Sequence, residues 1–407
     1  MQPWPGEVLE ERAGEIAVGF AALLTRQAAW RHRRVETITV LSHEQVRRSV
    51  SVDFTVPIEH RDDLRLSETE WVVPLAVLTK HELVHFDLRS EDETAVPLLR
   101  SDEAQSVARE LLYLMLDLDL DAGAEVDEDF DGGALIEKVL AAGPMDGDIV
   151  GAQVDEFTEQ LPGFTALAGP LTRGFLLCAV LNDVTRRRVI KFAYDEPLAR
   201  PGRYSHFYGT HGCTEAASYH VELDVPDGMR ARTSEMIDNV SGEVLAVGPR
   251  DADRPGLHFV ADAGAHLDPG LRVHYATERG GFLVPAALVA WVIALELALP
   301  WLFADLGGLA TSGGPAIAVL LSSSAVFSSL VLRAGEHPLV PLVLAPYRLC
   351  LAAATLAAVA AGAFLAFHGS AATLDVIWGV GSVVAVVAAG ILSIEAARAP
   401  AAAKTTT

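Results

Sequence analysis

Cysteine is scarce: Cys178, Cys213 and Cys350 are the only three among 407 residues. So sparse and odd a set builds no disulfide framework, which excludes a small stapled scaffold and suits a reducing compartment. Lysine is nearly as rare, four against 27 arginines, and 31 basic residues face 54 acidic ones for a formal net charge of −23. A broad basic face for nucleic acid is thereby excluded. The chain has no GxxxxGK, no GxGxxG after a strand-like run and no GxSxG. The phosphate-loop, dinucleotide-fingerprint and serine-elbow readings go with them. No internal repeat is visible, and the first residues have neither the basic nor the apolar region of a signal peptide.

What is present divides along the chain. Residues 1–280 hold 27 of the 31 Lys/Arg and 49 of the 54 Asp/Glu, while residues 281–407 hold four and five. An acidic soluble part precedes an apolar part. The latter contains four apolar runs, 282–303, 315–332, 342–367 and 373–394, each near the roughly 18–20 residues that cross a bilayer core as a helix. Arg279 precedes the first run, Arg333 and Arg348 flank the second loop, and Arg398 and Lys404 sit in the tail; the first and third loops carry no Lys or Arg. Basic residues mark the cytoplasmic side. The expectation is a multi-pass protein with both termini cytoplasmic. The arginine bias and the alanine-rich tail suggest a GC-rich bacterial genome, hence a bacterial cytoplasmic membrane. Glu296 lies deep in the first run, where a charge costs about 2.5–3.5 kcal/mol on insertion scales. It is a candidate proton or ion site, or a carboxyl paired within an oligomer. Ser322, Ser323, Ser324, Gly379, Gly381 and Gly390 offer small or hydrogen-bonding surfaces for helix packing.

In the soluble part, Leu9, Ile16, Phe20, Leu23 and Leu24 predict an amphipathic helix over 6–30, with glutamates at its start and Arg31, Arg33 and Arg34 past its end. The stretch from Trp30 to Arg34 reads as a helix end matched to the dipole or as a contact with anionic lipid. Alternation of Val, Ile and Thr predicts two strands with a polar middle over 35–57, and two more at 71–78 and 83–89. Helices are expected at 102–116, opened by Asp102 and Gln105 in capping-box spacing, and at 133–142 and 152–161. Eight candidate strands follow from residue 174, at spacings of about 8–12 residues that suggest an Ig-like β-sandwich. The expected fold class is an α+β soluble region including that sandwich, then a four-helix transmembrane bundle. The expected divisions are 1–172 (cytosolic α+β), 173–280 (β-sandwich), 281–395 (four transmembrane helices) and 396–407 (disordered tail).

Three clusters carry candidate chemistry. His81-Glu-Leu-Val-His85 is an HExxH. On a helix its histidines grip zinc and Glu82 is the catalytic base, so it resembles the signature of zinc metallopeptidases. Asp87 stands where an apolar residue is wanted, and the flanks alternate like a strand. A strand would set the histidines about 13 Å apart, too far for one metal. Asp117, Asp119, Asp121 and Glu128 match positions 1, 3, 5 and 12 of a calcium loop, with Ala122 in place of the turn glycine. The plain alternative is a solvated acidic loop. His206, His211, Cys213 and His220 have zinc-binding chemistry, in a spacing that matches no finger.

The segment Gly335-Glu-His-Pro-Leu339 after the second apolar run, with the order of soluble part and spans, resembles multi-pass proteins of high-GC actinobacteria that carry a cytosolic β-rich region and four spans. That resemblance implies an architecture and no activity. With no cofactor expected beyond zinc or calcium at the clusters above, the leading expectation is non-enzymatic. A cytosolic interaction or sensing module is anchored by four helices, with the lipid bilayer and a protein partner, or a second copy, as its contacts. A membrane-tethered zinc peptidase is the first alternative, and a small channel or transporter gated by the cytosolic region the second.

Overall fold

The computed structural model describes residues 5–42, 44–80, 84–127, 130–198, 205–210, 212–250, 252, 254–260, 269–278, 282–303, 326, 328, 339–366 and 371–399. It is a mixed α/β fold with sheets, followed by apolar helices. Helix α1 (Pro5–Leu24) realises the expected amphipathic pattern: Leu9, Ala13, Ile16, Phe20 and Leu23 recur every three or four residues and are all buried. After the single turn α2 (Gln27–Trp30) come the hairpin β1 (Arg31–Val40) and β2 (Gln45–Phe54), then β3 (Arg65–Ser67), β4 (Glu70–Thr79) and β5 (Val84–Ser90). Four helices follow: α3 (Ser101–Asp121), α4 (Gly132–Ala141), α5 (Gly147–Asp155) and α6 (Pro162–Arg173). The remaining strands are β6 (Gly174–Leu181), β7 (Arg188–Pro197), β8 (Ser205–Gly209), β9 (Tyr219–Asp224), β10 (Met229–Asp238), β11 (Val244–Val247), β12 (Gly256–Phe259) and β13 (Pro269–Thr277). Helices α7 (Val284–Phe303), α8 (Leu339–Ala366) and α9 (Ala371–Arg398) end the described chain.

The largest sheet runs β12-β9-β1-β2-β7-β5, the second β11-β10-β13-β8 and the third β3-β4-β6. All pairs are antiparallel except β1 with β9. Strands from both sides of the expected division at 172/173 therefore share sheets: β7 lies on β2, β9 on β1 and β6 on β4. Among the described residues, the strands after 173 are divided among three sheets, two of which they share with earlier strands. Alternation identifies the buried face of a strand but not its neighbour, and the early hairpin leaves two open edges that later strands fill.

The β1–β2 hairpin is long enough to serve two cores. Val50, Val52 and Phe54 join α1, α3, α4, α6 and the third sheet in one hydrophobic cluster. Ile38, Val40 and Val46, toward the hairpin turn, join a second cluster with β9, β10, β13 and the near ends of the apolar helices through Phe282, Val343, Leu344 and Leu392. A third cluster, including Leu297, Ala354, Ala361 and Trp378, holds α7, α8 and α9 together.

Two stretches, Val343–Ala366 and Ala372–Arg398, are long and apolar enough to cross a membrane, and the apolar part of α7, Val284–Leu299, is shorter. Of the expected run 315–332 only Val326 and Ser328 are described, both helical; Gly335, Glu336, His337 and Pro338 lie outside the described residues. The expected four-helix transmembrane bundle thus reduces, among the described residues, to two helices of spanning length and a shorter apolar one. Residues 396–398 of the expected tail belong to α9, which continues to Arg398 with Ala396 buried, and residues 400–407 lie outside the described residues.

Candidate functional site

The middle of the hairpin separates the two cores with charge. Arg34 and Glu36 share the buried face of β1 with Ile38 and Val40, and Arg48 shares that of β2 with Val46 and Val50. Tyr194 and Glu196 on β7 and Tyr219 on β9 extend the belt across neighbouring strands. Arg48 donates to Glu36 through Nη1 and to Glu196 through Nε. The Tyr219 hydroxyl donates to Glu36 Oε2 at 2.9 Å. Arg31 and Arg34 both donate to Glu215 Oε2, at 2.8 and 2.9 Å, and Arg31 also reaches the Pro74 carbonyl of β4 at 3.0 Å. Three arginines meet three glutamates, so the belt is neutral. Burial pulls all three guanidiniums down. At Arg31 it wins, to about 10, over the attraction of Glu215. At Arg34 the carboxylates of Glu215 and Glu36 outweigh it, and at Arg48 those of Glu36 and Glu196 do, leaving both above the ordinary value. The Nε atoms of Arg31 and Arg34 are buried without a hydrogen-bond partner among the described residues.

Beyond the belt, the second sheet meets the helices. Tyr208 on β8 and Tyr275 on β13 bring their hydroxyls within 2.6 Å of each other, both phenols raised by burial. The His206 ring stands edge-on to Tyr275 at 5.2 Å. Tyr275 also walls a cavity of about 400 Å³ at the junction, with Arg232, Thr233 and His274 from the sheet, Val343 and Tyr347 from α8, and Glu395, Arg398 and Ala399 at the end of α9. Arg232 is the extra residue of a β-bulge: Ala231 pairs with Tyr275 and Thr233 with His274. A bulge re-aims the side chain it carries. Below the junction, Arg230 fastens Glu278, just after β13, at 3.1 Å. A second cavity, about 250 Å³ and mostly apolar, lies between β6 and the helices, with Cys178 and Lys80 in its wall. There the Lys80 amine donates to the carbonyls of Val139 and Ala142 at the end of α4, at 3.0 and 2.9 Å, so it serves as a helix cap.

The clusters suggested by sequence are placed otherwise. His81 and Glu82 lie outside the described residues; His85 is in strand β5, not on a helix. It sits beside a bulge at φ +54°, with Nδ1 2.7 Å from Asp195 Oδ2, so its described partner is a carboxylate shared with Arg47. Asp117, Asp119 and Asp121 are in the last turns of α3 rather than in a loop, and Glu128 is outside the described residues. A helix turns residues two apart to different faces, which denies these aspartates the convergence of a calcium loop. Asp119 instead accepts from the backbone N–H groups of Gly163 and Phe164, at 3.2 and 2.7 Å, at the start of α6. His206 is buried on the second sheet, Cys213 is buried in the turn before β9, and His220 pairs with Glu222 on the largest sheet; His211 is outside the described residues. No group of three or more His, Cys, Asp or Glu able to hold a metal is found among the described residues. Glu296 is half-buried on α7, between buried Ile293 and Leu297. Trp30 and Arg31 are buried, with the Trp30 indole N–H donating to the Leu23 carbonyl at 2.9 Å, so this end of the cluster from Trp30 to Arg34 faces the core rather than lipid. The charge belt went unread in the sequence. Its signal was there: Arg34, Glu36 and Arg48 stand in register with the apolar residues of their strands.

No known protein family and no curated protein matches the chain.

Proposed function

We propose that the chain is a membrane-anchored interaction or sensing module, its soluble body in the bacterial cytosol and its apolar helices crossing the cytoplasmic membrane, four times when the run at 315–332 is included. The observation that carries this reading is the second core, in which sheet residues such as Met229, Leu271 and Tyr275 pack in one cluster with Leu283, Val343, Leu344 and Leu392 of the helices. An enzyme merely tethered to a bilayer needs only a linker there. A shared core couples the two parts mechanically, because packed interfaces shift between discrete arrangements and do not deform smoothly. The polar chain from Tyr275 through Tyr208, which lies close enough to feel the charge of Arg48, leads from the junction into the body.

The test is affinity purification of the full chain from native membranes, with its oligomeric state measured in nanodiscs and peptide hydrolysis assayed in parallel. A stoichiometric partner or defined self-association is expected. A monomer without partner whose peptide hydrolysis disappears in Glu82→Gln would overturn the reading in favour of the zinc peptidase.

A further inference from the structure

We propose that the junction cavity binds a phosphate group, and that its source is the headgroup of an anionic phospholipid in the leaflet facing the soluble body. This rests on the membrane-anchored reading above. The cavity of about 400 Å³ is the size of a small-ligand site. Two arginines and a histidine reach it from separate elements: Arg232 from the bulge of β10, His274 from β13 and Arg398 from the end of α9. Arg398 is paired with Glu395 at 3.2 Å, whereas Arg232 is exposed and has no hydrogen-bond or ion-pair partner among the described residues. The wall thus carries one unneutralised guanidinium, whose planar fork matches phosphate oxygens. His274 and Tyr347 complete the polar part of its lining.

Position selects the source. The two stretches of spanning length run Val343–Ala366 and Ala372–Arg398, and their body-side ends, Val343 and Arg398, both line the cavity. With those helices in a bilayer, the cavity opens at the level where headgroups lie. Val343 and Ala399 provide apolar wall on the helix side and the arginines provide charge, as an amphiphile requires. Bound there, one lipid would touch the sheet and two helices together, which is how a lipid could bias the body.

The experiment is native mass spectrometry of the full chain released from nanodiscs containing equal amounts of phosphatidylglycerol and phosphatidylcholine. Preferential retention of phosphatidylglycerol is expected. Arg232→Gln should reduce it by about fivefold, the effect of one basic side chain at a lipid surface. Because Arg232 is exposed and unpartnered, this variant keeps its fold, which its unfolding midpoint checks. Arg272→Gln, on the same sheet but not in the cavity wall, should leave retention unchanged. Equal retention of both lipids, or equal effects of the two variants, overturns the proposal. Inorganic phosphate is the other arm: if it protects the chain against heat through Arg232 while phosphatidylglycerol does not, the lipid source is wrong. Carbonate extraction separates the levels. A chain that leaves the membrane in carbonate defeats the anchored reading itself, whereas one that stays and shows no lipid preference defeats only this inference.

Discussion

Glu36 is the residue whose loss should be felt most strongly in the soluble body. Its side chain is 1% exposed, one oxygen accepts from Arg48, and the other accepts from Tyr219 and lies 4.0 Å from Arg34 Nη2. Glu36→Ala leaves three buried arginines facing two carboxylates and strands the Tyr219 hydroxyl. Removing one member of a buried ion pair costs about 3–5 kcal/mol, because the remaining charge stays desolvated. A domain holds about 5–15 kcal/mol in total, so the variant should be marginal, its folded-to-unfolded ratio lower by about two to four orders of magnitude. Equilibrium urea unfolding of the full chain in nanodiscs measures this. Trp30, buried beside Arg31 at 4.8 Å, is one reporter of the transition. The double variant Glu36→Ala/Arg48→Ala decides the mechanism. Removing both charges restores the balance on that side of the belt, so the double loss should fall short of the sum of the single losses by about 2 kcal/mol, within the range of directly coupled residues. High salt should change little, since buried pairs are poorly screened. A Glu36→Ala loss below about 1 kcal/mol, typical of an exposed pair, or additivity within about 0.5 kcal/mol, would refute a tightly coupled belt.

Four further outcomes follow from single contacts. Lys80→Met removes the amine that caps α4 and should destabilise by about 1–3 kcal/mol, with faster amide exchange at Ala141 and Ala142. Asp119→Ala, which uncaps α6, should cost about 0.5–2 kcal/mol, and calcium should raise the unfolding midpoint of neither it nor the parent. Asp195 is pulled up by burial, but its bonds from Arg47 and His85 prevail and hold it below the usual carboxylate value. A folded value below the unfolded one stabilises above the unfolded pKa and is lost as pH falls through the folded one, so Asp195→Asn should flatten the fall in stability below about pH 4. Burial holds the Cys178 thiol far above its ordinary pKa, so native protein should resist iodoacetamide at this residue under neutral conditions, and rapid alkylation mapped by mass spectrometry would contradict the packing of β6.

Strand existence was legible in the sequence, and strand pairing was not. All eight strands expected after residue 173 are present as β6 to β13, because turn residues and alternation are local signals. The sheets they enter depend on contacts more than a hundred residues away, such as Arg34 with Tyr219 or Phe54 with Arg188, which no local pattern encodes. Helix α6 was missed because Pro162, Gly163, Gly169 and Pro170 look like a breaker-rich loop. Pro162 in fact sits at the helix start, where a missing N–H costs nothing, and Asp119 accepts from the two N–H groups that follow. The metal motifs are local in a different sense. HExxH and the aspartate spacing specify a site only on a particular local structure. Of their described residues, His85 lies on a strand and Asp117, Asp119 and Asp121 lie on a helix, while His81, Glu82 and Glu128 lie outside the described residues.

The shared core changes what a fragment can report. Cutting before the helices would seem to free a soluble body at residues 1–280, since nearly all the charge lies there. Yet the second cluster holds Leu271, Val273 and Tyr275 of β13 together with Leu283, Val343, Leu344 and Leu392 of the helices. Exposing a large apolar side chain forfeits about 1.5–3 kcal/mol, so uncovering two or three of them removes a good part of a stability of about 5–15 kcal/mol. The exposed patch would also favour aggregation. Residues 1–280 alone should therefore bind a hydrophobic dye and unfold over a broad range, while the full chain in nanodiscs unfolds sharply. A monomeric fragment with a sharp transition and no dye binding would show that the sheet does not need the helices. The mechanical coupling on which the sensing reading depends would fail with it, even if the lipid preference of the junction survived.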